Sequence, residues 1–262
     1  MRFNLIGKLN YVAEIILNYR NWCLILLNRL RNVLTNIVYL RNRIVITGGK
    51  KSLILDLCSE IFIKEIYNPI NLRINPGDTV VDIGANIGVF SLYASHCSAS
   101  KIYAIEPLLE NIQSIKINFK KNNFNNIKII NAAVSDKNGF SKLYFGDLDS
   151  HGLLFDHVFK EKLTEYRNVR TLKLDTIISD YGINHINFLK VDCEGSEGYI
   201  LKSIKKDTWE IIDKIAIEYH DNVSVLSHTE MSQILKRNGY NTKTIKTGNL
   251  FGYVYAWRGQ YY

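Results

Sequence analysis

Two carboxylates, Asp82 and Glu106, close the runs 79–83 and 101–105. Both runs are nearly continuous in apolar and β-branched character, as expected of strands covered on both faces. A carboxylate at the end of the second strand of an α/β unit can accept both hydroxyls of a ribose. Asp82 leads directly into Gly84-Ala-Asn-Ile-Gly88. Gly84 permits a positive φ or a close backbone approach, and Gly88 lets the next helix lie tightly on the sheet. Amides at that helix's N-terminus would face the ligand. The dinucleotide pattern G-x-G-x-x-G would need glycine at 86 and 89, where Asn86 and Val89 stand. Asp82 also puts negative charge where phosphates would have to sit. A ligand with an amine and a ribose fits this turn better than a pyrophosphate, so the pair predicts a nucleoside site.

Alternating strand and helix patterns are needed to position these residues. A helix face runs through Ile112, Ile115 and Phe119. Strands are predicted at 127–130, 140–145 and 169–174, with Asp175 capping a helix over 176–180. Small residues at 131–136 leave room for a flat ring against the backbone. Further strands are expected at 187–191 and 214–218, with helices at 196–204 and 229–238 and Gly239 past the last one. Residues 240–246 and 250–257 read as a closing hairpin. The alternation predicts a mostly parallel sheet with helices on both faces, which gathers ligands at the strands' carboxyl ends. Asp82, Glu106, Asp192, Glu194, Glu218 and His220 all fall at such ends.

The 262 residues suit one α/β domain with an appendage. Residues 1–51 hold nine Lys/Arg against the single acid Glu14, so the whole formal charge of +8 resides there. The remainder is neutral, which disfavours a nucleic-acid substrate, because a basic stripe beside the site would be its footprint. Cys23, Cys58, Cys97 and Cys193 form no C-x-x-C pair. The last three read as buried thiols, and a reducing cytosol is the simpler reading. Residues 4–40 carry apolar residues at helical spacing, broken by Arg20, Arg29 and Arg31. Their uncharged runs are far short of the ~18–20 residues a membrane span needs. One or two amphipathic helices are expected, packing on the domain or in a dimer, or touching an anionic membrane surface.

Asp82-Ile-Gly-Ala-Asn-Ile-Gly88, Ile105-Glu-Pro107, Ala132-Ala-Val-Ser-Asp136, Leu174-Asp-Thr-Ile177 and Phe188-Leu-Lys-Val-Asp-Cys-Glu-Gly-Ser-Glu197 together resemble the FkbM family of S-adenosylmethionine-dependent methyltransferases. The resemblance runs from about Asn42 to the C-terminus and says nothing of residues 1–40. It implies a Rossmann-like, class I methyltransferase three-layer sandwich with a seven-stranded, mostly parallel sheet whose last hairpin strand is antiparallel. The division expected is 1–45 for a basic helical segment and 46–262 for the methyltransferase domain. S-adenosylmethionine is implied as methyl donor. Asp82, Gly84, Asn86 and Gly88 would surround its amino-acid part, with Ala85 and Asp192 in the same set. Glu106, beside Pro107, would take the ribose hydroxyls, and Ala133 and Val134 would lie against adenine.

Methyl transfer from a sulfonium is an in-line displacement, for which alignment supplies much of the rate. A hydroxyl acceptor is a poor nucleophile, so a nearby base should help by ~10²–10⁴-fold. His220 and His151 are the histidine candidates and Asp192 the carboxylate one. Asp192 and Glu194 are alternatively placed to orient the cofactor amine or the acceptor. Asp192, Glu194, Glu218 and His220 also have the donor atoms of a divalent-ion site, although Lys190 and a helix start explain the acids without metal. The leading expectation is an O-methyltransferase acting on a sugar, glycan or small molecule. The alternatives are an RNA methyltransferase, or a non-catalytic module whose N-terminal helices do the binding. The setting expected is cytoplasmic, with residues 1–45 touching the inner membrane face or self-associating.

Overall fold

A computed structural model describes residues 5–31, 33, 35–48, 51–69, 72–145, 152–153 and 165–259. Helices α1 (Leu5–Asn18) and α2 (Trp22–Leu30) come first, then the hairpin β1 (Ile37–Tyr39) and β2 (Val45–Thr47), and α3 (Lys51–Cys58), which runs into a π-helical turn at Ser59–Ile63. The catalytic-type unit follows: β3 (Thr79–Ile83), α4 (Val89–His96), β4 (Lys101–Ile105), α5 (Leu109–Lys121), β5 (Ile127–Ile130), β6 (Ala133–Val134), β7 (Gly139–Phe145), β8 (Gly152–Leu153) and β9 (Glu165–Leu172). It ends with α6 (Leu174–Tyr181), β10 (Ile186–Val191), α7 (Glu197–Ser203), α8 (Lys206–Glu210), β11 (Ile212–His220), α9 (His228–Arg237), β12 (Asn241–Lys246) and β13 (Phe251–Trp257).

Seven strands form the central sheet in the order β12-β13-β11-β10-β3-β4-β5. The pairs from β11 to β5 are parallel, while β13 runs antiparallel to both β11 and β12. Only the closing hairpin strand is reversed, as the sequence predicts. Val81, Ile83, Leu189, Val191 and Ile215 face one apolar layer. Val80, Phe188, Ala216 and Ile102 face the other, so both faces of the sheet are covered.

A second sheet, β6-β9-β7-β8, stands apart from the first and was not anticipated as a separate unit. Its β9 ends at Leu172, and Leu174 opens α6 instead of continuing the strand. Asp175 does not cap that helix: Lys173 occupies the cap without a side-chain bond. The Asp175 carboxylate reaches across to the Thr208 hydroxyl and the Lys205 amide, tying α6 to the start of α8.

The N-terminal helices are packed on this unit. Ile15, Tyr19 and Ile25 join the same apolar cluster as Val80 and Phe90. Glu14 accepts the Ser59 hydroxyl at 2.6 Å. The β2 edge is satisfied by side chains of α5. Asn118 and Asn122, one helical turn apart, each accept an amide and donate to a carbonyl of β2. Of the thiols expected to be buried, Cys58 is, whereas Cys97 and Cys193 are half-buried.

Candidate active site

The carboxyl ends of β3, β4, β10 and β11 open onto a cavity of about 340 Å³. That falls in the range of small-ligand sites, roughly 300–1,000 Å³. Its wall includes Gly84, Ala85, Asn86, Glu106, Pro107, Ala133, Val134, Asp192, Glu194 and Glu218. Asp82 and Gly88 are not part of it. Their roles lie beneath the surface.

Asp82 is fully buried, accepting the Ser91 hydroxyl at 2.7 Å and pairing with Lys190 Nζ at 3.3 Å. Lys190 also meets Asp192 Oδ2 at 3.2 Å and donates to the Gly84 carbonyl. Burial alone would lower the lysine's pKa. The Asp192 and Asp82 charges outweigh burial and keep it protonated. The negative charge that Asp82 brings to the turn is thus neutralised by this lysine. Asp192, pushed up by burial but held lower still by Lys190 and His220, stays ionised. Gly84 sits at φ +75°, and a β-carbon there would stand 1.7 Å from the Asp192 carbonyl oxygen. Glycine is therefore required where the turn after β3 touches the end of β10. Gly88, at φ +84°, caps α4 and rests against Ile115.

Glu106 is buried at the end of β4. Its Oε2 accepts the Asn86 amide at 2.9 Å, and its Oε1 accepts the Leu108 amide and the Asn111 side chain. These bonds fix the carboxylate against the glycine turn, and its lone pairs exceed the donors present. Burial raises its pKa to about 7, against the opposing effect of those bonds. Ala133, Leu108 and Leu143 make an apolar slot beside it. These residues fit an adenosine: a carboxylate for ribose hydroxyls next to an apolar slot for a flat ring. Val89 and Phe90 bring the N-terminus of α4 to the wall, which suits a carboxylate group. Among the described residues, the acids lining the cavity are Asp56, Glu60, Glu106, Asp192, Glu194 and Glu218, against one cation, Lys190. This excess suits a ligand bearing a sulfonium and an amine.

At the β11 end, the Tyr67 hydroxyl lies 2.6 Å from Glu218 Oε2 and 3.1 Å from Asp192 Oδ2. It has one proton and gives it to the nearer oxygen. Burial first, and the Asp192 charge second, raise the Glu218 pKa to about 8. Among the described residues, no ion pair involves Glu218.

His220 does not line the cavity. Its Nδ1 meets the fully buried Glu197 at 3.2 Å and its Nε2 meets Glu194 at 3.3 Å. Burial would lower its pKa, but the Glu197 bond and charge, with Glu194 behind them, lift it to about 10. His220, the expected general base, is held between two carboxylates that favour its protonated form, away from the cavity wall. Asp192, Glu194 and His220 do bring one donor atom each within 4.8 Å of one another. The ion pairs with His220 and Lys190 satisfy that cluster as it stands. His151 lies outside the described residues. Sequence reasoning missed Tyr67, Asp56 and Glu60 altogether. They sit on α3 and the irregular segment after it, where no spacing signal marks them.

A seven-stranded sheet in this order, with its cavity at the parallel strands' carboxyl ends and an acid closing the second of them, defines a class I S-adenosylmethionine-dependent methyltransferase. Residues 82–242 match the model of the methyltransferase FkbM domain. Methyltransferase sdnD of Sordaria araneosa is 29% identical over 189 residues, covering 61% of this chain and 72% of that protein. The 31-O-demethyl-FK506 methyltransferase FkbM of Streptomyces tacrolimicus is 26% identical over 214 residues, covering 70% of this chain and 80% of that one. Among solved structures, methyltransferase FkbM from Methylobacillus flagellatus KT aligns with a TM-score of 0.52 at 20% identity, over 76% of this chain. The aligned part is about half of that structure, 51%, and the likeness concerns the fold. The chain belongs to the FkbM methyltransferase family, and S-adenosylmethionine is its cofactor.

Proposed function

We propose that the chain methylates a hydroxyl oxygen of a sugar, glycan or small-molecule acceptor, and that Glu218 takes the hydroxyl proton. When bound, S-adenosylmethionine supplies a methyl group activated by its sulfonium. Glu106 would hold the ribose, Ala133, Val134 and Leu143 the adenine, and Asp192 with the start of α4 the amino-acid part.

The observation that carries this reading is the separation of Glu218 from the ribose carboxylate. From β4 to β11 is three strand steps in the order β4-β3-β10-β11. At ~4.8 Å per step this is about 14 Å. Glu218 therefore serves a different part of the cavity from Glu106. Asp82 and Asp192 are held by Lys190, and Glu194 and Glu197 by His220. Glu218 instead keeps a carboxylate matched to proton uptake near neutral pH, with Tyr67 fixing its orientation. The Streptomyces relative is named for methylation at an oxygen. The neutral charge of residues 52–262 weighs against an RNA substrate.

The test is methyl transfer to a panel of sugars, glycans and hydroxylated small molecules, for wild type and Glu218→Gln. The variant is expected to lose about 10²–10⁴-fold in kcat. Wild-type kcat/KM should rise with pH and level off above about 8, and the variant should lack that limb. Full activity in Glu218→Gln removes the base assignment. Transfer to RNA and to no hydroxyl acceptor removes the substrate class.

A further inference from the structure

We propose that α1 and α2 form a docking face for an anionic lipid bilayer, which they engage from one side without crossing it. Each helix has two apolar sides. One is buried in the core through Ile15 of α1 and Ile25 of α2, with Tyr19 between the helices buried beside them. On the other, α1 leaves Leu9 at 61% and Leu17 at 68% exposure, with Ala13 also exposed between them. These positions are four residues apart and so share one face. α2 does the same with Leu24, Leu27 and Leu30, the last 83% exposed, and Val33 follows. Single exposed leucines need no explanation, but two helical stripes of them on adjacent helices mark an interaction surface.

The charge selects the occupant. Arg20 and Arg31 are exposed just past the ends of the two stripes in sequence, and exposed Arg41 donates to the Ile16 carbonyl of α1. The only acid among residues 1–51, Glu14, is turned inward onto Ser59. A second copy docking here would set arginine against arginine, whereas anionic headgroups meet them with opposite charge, and leucines beside basic residues suit the headgroup–acyl boundary. Among the described residues no helix is long and apolar enough to cross a membrane. On the opposite, buried side, Tyr19 donates to the Leu55 carbonyl of α3, whose Asp56 and Leu57 line the cavity.

Co-sedimentation of the full chain with phosphatidylcholine vesicles, with and without phosphatidylglycerol, tests this. Binding is expected only to the anionic vesicles. Arg20→Gln with Arg31→Gln should weaken it by about tenfold or more, and Leu17→Glu with Leu27→Glu should abolish it. Thermal melting of both variants should match wild type, since the substituted side chains are exposed. Sedimentation velocity without lipid should give a monomer. Equal binding to neutral vesicles, no binding to either kind, unchanged binding in both variants, or a dimer dispersed by the leucine substitutions would each overturn the proposal. None of these readouts depends on methyl transfer.

Discussion

Charge pairing at single residues decides which acids of the site remain available. Two cations, Lys190 and His220, sit among five carboxylates at the ends of β3, β10 and β11 and the start of α7. Each cation is held by two acids, and Glu218 accepts two tyrosine hydroxyls, from Tyr67 at 2.6 Å and Tyr253 at 3.4 Å. The His220–Glu197 pair has a consequence for stability. Its folded pKa of about 10 lies above the ordinary 6.5, so its contribution is fully present below pH 6.5 and is lost as pH rises through about 10. Chemical denaturation should show wild-type stability falling between pH 7 and 10. His220→Gln leaves Glu197 buried and without its cation, and should cost about 3–5 kcal/mol at pH 7. The variant's stability should also fall less over the same interval. A variant as stable as wild type at pH 7 would mean that the His220–Glu197 pair does not hold the folded state together.

Elements were legible where their pattern was strong. The strands ending in Asp82, Glu106, Asp192 and Glu218 were readable because each is a short, nearly unbroken apolar run ending in an acid. The glycine turn was readable because Gly84 answers a steric demand, the approach of the Asp192 carbonyl. The β6-β9-β7-β8 sheet was not, because two residues, Ala133 and Val134, give no periodicity of their own. Tyr67 was invisible for a related reason: its role comes from the π-turn and the coil after α3, which bring it to Asp192 and Glu218 across more than a hundred residues. The dual role of α5 was equally hidden. Asn118, in a predicted apolar helix face, is fully buried and bonds both Thr47 of β2 and the Ile87 carbonyl in the glycine turn. Asn118→Ala should therefore destabilise by about 2–4 kcal/mol, since several backbone groups lose partners together. Hydrogen exchange should speed up at Thr47. Unchanged exchange there would show that β2 is held by other means.

Across the whole molecule, charge and chemistry are divided. Residues 1–51 carry the entire net charge, while the sheet and its cavity belong to the neutral remainder. Family membership names the donor, and the proposed function orients it by the cavity's two ends: Glu106 with the apolar slot at one, Glu218 with Tyr67 at the other. Calorimetric titration with S-adenosylhomocysteine tests that polarity most directly, because it needs no knowledge of the acceptor. Glu106→Ala should weaken binding about 10–100-fold, the loss of charge-assisted bonds to the ribose. Glu218→Gln should bind as wild type does. Unchanged affinity in Glu106→Ala, or an equal loss in Glu218→Gln, would contradict the assignment of the two ends.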